Sequence, residues 1–470
     1  MRNLLSCCVT LNATLALGKE MIAITQMNAR QKNLRCLNRS VMTTEHKILV
    51  FPAGTEIAFE IHNALRNNKM VELYGATSVP CHANLVFKNC VDGLPFANDP
   101  LLIDALNTLI DKWGIEFVYP AHDDALLRLT EDQDKLHAKV ITSTYFTVSI
   151  CRNKAETYFY LRNAWYMPMV YESDLDIREF PVFLKPAVGQ GSCGTFIAKN
   201  RDKLWEFLDS AKEKYVMCEY LPGAEYTVDC FTDRHGVLRF VGQRTRERIR
   251  SGIAVRSRLV ETEDAVMEIA ESLNARFDFN GAWFFQLKED MNGELKLLEV
   301  APRIAGTMGL TRNIGVNLPL LTLYNHLGMD VEIIKNPNEL LLDRAFISRF
   351  QTNLKYDFVY VDLDDTLIVK EKVNVYLLAF LYQCRDKGKK LILLTKHNGN
   401  AIQTLDDHSI DMNLFDSIIN IPDWAEKSQF IRPNSIFIDD SFAERKKVAD
   451  AWSIPVFDTD AVECLFDWRG

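Results

Sequence analysis

The chain has 470 residues, 48% of them hydrophobic and 25% charged, with a formal net charge of −9. That length points to about three domains of ordinary globular composition. The negative balance argues against nonspecific nucleic-acid or anionic-membrane binding, and no uninterrupted apolar run reaches the ~18 residues of a spanning helix. The 11 cysteines form no C-x-x-C pair, so neither a zinc site nor a disulfide framework is indicated. Reduced thiols in a cytoplasmic protein are the simplest account. Residues 1–41 are basic, with Glu20 their only carboxylate, and lack a clear hydrophobic period; they read as a disordered leader, with Met42 as an alternative start.

Residues 47–51 form a candidate buried strand, followed by a helix over 56–67, a strand over 71–74, a helix over 100–113 and a strand over 117–119. Strands alternating with helices at this spacing predict a parallel, Rossmann-like sheet, placed here in a domain spanning 42–140. The stretch Pro120-Ala121-His122-Asp123-Asp124 follows a strand end, where ligands of open α/β sheets usually sit, although the two aspartates also suit the cap of the next helix.

Residues 131–180 read as helical and charged, with Lys154 near the start of one helix. A short strand then delivers Lys185, and Pro186 ends it because proline cannot donate to a ladder. The loop that follows carries Gly189, Gly191, Ser192 and Gly194 before a second strand over 195–198. Glycine lets successive N–H groups converge on an anion, and a lysine adds a point charge suited to phosphate, so the segment reads as a flap over a nucleotide; a plain hairpin with a flexible turn is the bland reading. No Gly-Lys-Ser/Thr opens a helix here, so it is not a Walker A loop. A strand over 216–220 ends in Glu219-Tyr220-Leu221, and Glu225 opens the next. Arg244, Arg246, Arg248 and Arg250 alternate, as on a further strand whose cationic face would meet an anionic substrate or merely solvent. Strands over 282–288 and 295–300, joined by a turn, set Gln286 opposite Glu299 on one face, with Arg303 four residues beyond. A carboxylate and an amide oxygen so held suit Mg²⁺.

With these residues in order, the segment from about residue 47 to residue 328 resembles the ATP-grasp enzymes, nearest the branch related to carbamoyl-phosphate synthetase and biotin carboxylase. The resemblance implies a domain over 141–345 with two α+β lobes that clasp ATP. It implies Lys154 and Lys185 on the phosphates under the flap, Glu219, Tyr220 and Leu221 at adenine, and Glu225 at ribose. Gln286 and Glu299 would hold Mg²⁺, and Arg303 would hold the transferring phosphoryl group. One departure stands out. Family members commonly read Glu-x-Asn-Pro-Arg, whereas this chain has Ala301 in Glu299-Val300-Ala301-Pro302-Arg303, so one expected ligand atom is missing.

After residue 349 the pattern restarts. A strand over 356–361 ends in Asp362-Leu363-Asp364-Asp365-Thr366. Two carboxylates at this spacing can serve as nucleophile and proton donor–acceptor. A helix over 373–388, a strand over 390–394 ending at Thr395, then Lys427, a strand over 435–438 and Asp439-Asp440 follow. Residues 355–470 thus resemble the haloacid dehalogenase superfamily. That resemblance implies Asp362 as nucleophile, Asp364 as general acid/base, Thr395 and Lys427 on the phosphate, and Asp439 and Asp440 holding Mg²⁺ with Asp362 and Asp364. Only about thirty residues separate Asp364 from Thr395 and Thr395 from Lys427, so no cap domain is expected.

The expectation is therefore an α/β chain: a Rossmann-like domain, ATP-grasp lobes and a capless phosphatase-like parallel sheet. Its function would be ATP-dependent ligation of a small-molecule carboxylate to an amine through an acyl phosphate, with a phosphorylated metabolite as substrate of the last domain. A regulatory ATP-binding module acting on the phosphatase and a bicarbonate-using carboxylase are the rival readings. No nucleic acid or membrane partner is expected, and a homo-oligomer is compatible with the composition.

Overall fold

The computed structural model describes residues 45–469, so the leader and the alternative start at Met42 lie outside the described residues. Two compact units divide the chain: one comprises the segment up to Ala83 together with Asn89–Arg344, the other Asn84–Lys88 together with the segment from Ala345 onward. Among the described residues no helix is long and apolar enough to cross a membrane.

The first unit starts with a five-stranded parallel sheet in the order Asn89–Val91, Val71–Ala76, His46–Phe51, Phe117–Pro120, Lys139–Val140. Its centre, Ile48 to Val50, is fully buried, as expected for a run covered on both faces. The helix Glu56–Leu65 begins where the Thr55 hydroxyl accepts from the Ala58 N–H. Residues 131–180, expected to be helical, instead hold two short helices, Tyr145–Arg152 and Lys154–Leu161, and two-residue strands at Lys139–Val140 and Val170–Tyr171. Asn153 breaks the pair: its carboxamide oxygen accepts from the N–H groups of Ala155 and Glu156 and so restarts the helix at Lys154.

Two antiparallel sheets follow. The smaller runs Val170–Tyr171, Tyr215–Glu219, Val182–Pro186, Phe196–Ala198. Pro186 ends its strand as expected, as the last residue in register opposite Tyr215, where no ladder donor is needed of it. The larger sheet runs Leu238–Thr245, Glu225–Thr232, Gly281–Glu289, Leu295–Ala301. Side chains alternate across it. Val228, Cys230, Trp283, Phe285, Leu287 and Leu297 face one way and are fully buried in a core shared with the helix Asp264–Arg276. Burial of each large side chain contributes roughly 1.5–3 kcal/mol. The other face carries Glu225, Thr227, Asp229, Arg244, Gln286 and Glu299.

The expected single arginine strand is not formed. Leu238–Thr245 ends before Arg246, whose N–H still reaches the Glu225 carbonyl, while the next N–H, that of Glu247, bonds Arg256. Arg248–Arg250 then belongs to a different sheet with Ile253–Arg258 and Leu341–Asp343. The four arginines therefore have separate environments: Arg244 is buried, Arg246 lies in the cleft, and Arg248 and Arg250 are exposed.

The second unit is built on a parallel sheet ordered Ser417–Asn420, Lys390–Thr395, Phe358–Val361, Ser435–Ile438, Val456–Phe457. Helices Val375–Asp386, Ala401–Asp407 and Phe442–Trp452 accompany it, and separate apolar clusters around Leu391 and Phe437 form its cores. Between the first strand and first helix lies only a small hairpin, Ile368–Val369 with Lys372–Val373, which the sequence pattern did not reveal.

Candidate active sites

In the first unit the smaller sheet and the polar face of the larger one bound a cavity of about 230 Å³. Lys185 is carried into it by Val182–Pro186 and is buried. Its ammonium donates to the Tyr158 hydroxyl and to the Leu298 carbonyl at 2.8 Å, and stands 4.4 Å from the Tyr158 ring centroid. Burial pushes Lys185 down to about 8, with Lys154 adding to the effect while Cys218, Glu299 and Glu225 oppose it. Lys154 sits at the start of its helix, with its ammonium on the Gly189 carbonyl at 2.8 Å. The glycine turn closes above these amines. Gly191, Ser192 and Gly194 all have positive φ, and Gly191 packs on Gly252, where an added Cβ would lie 2.1 Å from the Gly191 carbonyl carbon. Gly252 was not expected to matter; its partner is 61 residues away, so no local pattern could disclose it.

Glu219, Tyr220 and Leu221 form another wall of this cavity. The Glu219 carboxylate is already engaged, accepting from the Met169 N–H at 2.7 Å. Glu225 is held by Arg246 at 2.7 Å and by Lys288 at 3.6 Å. Gln286 and Glu299 are direct cross-strand partners, as expected, and Thr227 and Arg244 extend the same row across the remaining two strands. An amide oxygen beside a carboxylate on a rigid ladder is a donor pair suited to a hard cation whose other ligands come from a triphosphate. Ala301 is buried beside Phe284 and supplies no ligand atom.

A second cavity of about 240 Å³ shares Lys154, Gln286 and Glu299 with the first and reaches Ala301, Arg303 and Arg244. Arg303 is held by a bidentate pair to Asp123, at 2.6 and 2.7 Å, and lies 5.1 Å from the Phe284 ring. Burial works against that guanidinium, but Asp123 outweighs it and raises Arg303. Burial likewise opposes Asp123, and Arg303 outweighs it to hold the carboxyl at about 2. The helix cap is His122 rather than either aspartate; its ring accepts from the Asp124 N–H.

In the second unit, adjacent parallel strands present Asp362, Thr395 and Asp439 at or just beyond their carboxyl ends. The buried Lys427 bridges Asp362 at 2.8 Å and Asp439 at 2.6 Å. Burial raises Asp362 to about 6, aided by Asp439 and opposed by Lys427 and the Thr395 hydroxyl. One carboxylate oxygen from each of Asp362, Asp439 and Asp440 lies within 4.8 Å of the others, a hard-oxygen set that fits Mg²⁺. Asp364 is outside that group: its side chain is half exposed and paired through both oxygens with His397 Nδ1 at 2.9 Å, while Nε2 meets the Thr404 hydroxyl. As a side-chain ligand it is therefore not gathered with the other three. His397, two residues beyond Thr395, had no motif to mark it.

A family model described as "ATP-grasp in the biosynthetic pathway with Ter operon" matches residues 211–343, wholly outside the second parallel sheet. No curated protein sequence matches the chain. Among solved structures, the biotin carboxylase domain of Hydrogenobacter thermophilus 2-oxoglutarate carboxylase, in complex with MgADP, ADP and bicarbonate, is 17% identical, covering 63% of this chain and 74% of that one with a TM-score of 0.53. Campylobacter jejuni biotin carboxylase is 15% identical over 63% and 74%, with a TM-score of 0.52. Staphylococcus aureus N5-carboxyaminoimidazole synthetase with ADP is 15% identical over 64% and 82%, with a TM-score of 0.52. At these identities the likeness is one of fold: an α/β chain of ATP-grasp architecture.

Proposed function

We propose that the chain is an ATP-dependent carboxylate–amine ligase joined to a Mg²⁺-dependent phosphatase. The observation that carries the first half is the meeting, around one cavity, of the buried Lys185, the glycine turn and the cross-strand pair Gln286–Glu299. The solved structures of similar fold that contain nucleotide support ATP as the donor. Mg²⁺ held by Gln286 and Glu299 would neutralise triphosphate charge. Lys154 and Lys185 bind the phosphates, and the turn from Gly189 to Gly194 excludes water that would hydrolyse an acyl phosphate. In the second cavity a substrate carboxylate oxygen attacks the γ-phosphorus, the bond to the β–γ bridging oxygen breaks and ADP departs. Arg303, fixed by Asp123, faces the transferred phosphoryl group. An amine then attacks the acyl carbon, phosphate leaves, and the amine proton passes to solvent.

For the second unit the supporting observation is the Asp362–Lys427–Asp439 bridge at the strand ends. By resemblance to the haloacid dehalogenases, Asp362 attacks the phosphorus of a phosphomonoester while Asp364 protonates the departing oxygen. Asp364 next draws a proton from water, which releases phosphate from the aspartyl ester. Thr395 and Lys427 hold the phosphoryl oxygens, and Mg²⁺ on Asp362, Asp439 and Asp440 would offset their charge.

Ala301 favours a second reading, an ATP-binding module without turnover that governs the phosphatase. A bicarbonate-using reaction is the third, since two of the solved structures of similar fold are biotin carboxylases. ADP and phosphate release from the full chain with MgATP, over a panel of carboxylic acids each paired with amines, separates them. The ligase reading expects one pair to raise ADP output and Lys185→Ala to abolish it, with phosphomonoester hydrolysis lost in Asp362→Asn. Acid-independent nucleotide effects on hydrolysis would favour the regulatory module, and bicarbonate dependence the third.

A further inference from the structure

The row Arg244–Thr227–Gln286–Glu299 crosses all four strands of the larger sheet and points to one face. At its far end Arg244 is fully buried. Its Nε and Nη2 grip both oxygens of Asp229, each at 2.9 Å, and the Thr311 hydroxyl fixes that carboxylate at 2.7 Å. Nη1 is buried too, yet it finds no hydrogen-bond partner among the described residues. Buried donors are normally paired, and a guanidinium pinned on one edge presents the other as a fixed fork for an oxyanion.

Arg244 lines the second cavity together with Arg152, Lys154, Arg246 and Arg303; the other three arginines are paired with Asp124, Glu225 and Asp123. Glu299, on the same wall, holds the cation in the proposed ligase. The reacting carboxylate must meet the γ-phosphate beside Gln286 and Glu299. Arg244 starts three interstrand steps from Glu299, each about 4.8 Å. One carboxylate cannot occupy both ends of that row.

We propose that the acid substrate carries a second oxyanion, held by the free Nη1 edge of Arg244, with a short carbon spacer lying across Thr227 toward the reacting carboxylate. This specifies the substrate class, a small dianionic acid, and rests on the ligase reading for the identity of the reacting end.

Calorimetric titration of the full chain loaded with MgADP, using succinate, glutarate and adipate against butyrate, tests it. At least one diacid is expected to bind tenfold or more tighter than butyrate. Arg244→Lys keeps a charge for Asp229 but removes the fork, and is expected to erase the preference. A MgADP affinity within twofold of the parent shows that this variant is folded; if it is not, the charge-neutral pair Arg244→Gln with Asp229→Asn carries the same expectation. Equal binding of mono- and diacids, including no binding of either, or a preference that survives the substitutions, would overturn the proposal. ADP release with the same acids and an amine panel keeps the two ideas apart. An Arg244-dependent diacid preference without acid-stimulated ADP release would sink the ligase reading and leave the anion site standing. Acid-stimulated release without that preference would do the reverse.

Discussion

Lys185 and Lys427 are both buried amines, and their surroundings give them opposite tasks. Lys185 leans on a phenol and a carbonyl, so burial wins and the amine loses its proton near pH 8. The charged form is the one that attracts phosphate. Affinity for MgADP is therefore expected to be flat below pH 8 and to fall about tenfold per pH unit above it, a slope absent in Lys185→Arg. Titrations across pH 7 to 10 would check this; an unchanged slope in the arginine variant would count against Lys185 as its source. Lys427 also resists burial, but Asp362 and Asp439 overcome it and raise its pKa. Lys427→Met would strand two buried carboxylates, and a loss of about 3–5 kcal/mol from the second unit is expected in urea unfolding. Added Mg²⁺ should restore part of that loss, because a cation can take the place of the missing ammonium charge.

The strands that matter most were also the most legible in the chain. The apolar strand patterns over 282–288 and 295–300 and the turn near Gly293 were enough to set Gln286 against Glu299, and the strand-end aspartates stood out in the last third. The arginine run misled because alternation persists across a change of sheet: the N–H of Arg246 bonds one neighbour and that of Glu247 another, a switch that no side-chain pattern encodes. Nor could Asp123 be matched to Arg303, 180 residues away, or Gly252 to the glycine turn. The last pairing predicts its own phenotype. In Gly252→Ala the new methyl meets the Gly191 backbone at a residue already at φ 74°, so the turn must shift. A rise of about tenfold in the Kd for MgADP is expected, given how steeply misplacement of a positioned group degrades a site. Nucleotide titration of the variant, with circular dichroism to verify its fold, would decide; unchanged affinity would mean that this contact does not position the turn.

Each unit of the molecule has its own apolar cores and its own polar cluster, so ligand effects should be separable. Differential scanning calorimetry of the full chain is expected to show MgADP raising one transition and Mg²⁺ with orthovanadate raising another, by amounts that follow RT ln(1 + [L]/Kd). Asp439→Ala should cancel only the second shift. A single transition moved equally by both ligands would reveal one cooperative body instead. The larger sheet also limits the kinds of change the gene can tolerate. Glu225, Thr227 and Asp229 alternate with Tyr226, Val228 and Cys230 along one strand. Loss of one codon within it would turn the carboxylates into the apolar core and the valine into the cleft, while loss of two would keep each residue class on its own side. Lineages descended from this chain should therefore alter this strand by substitution or in even steps.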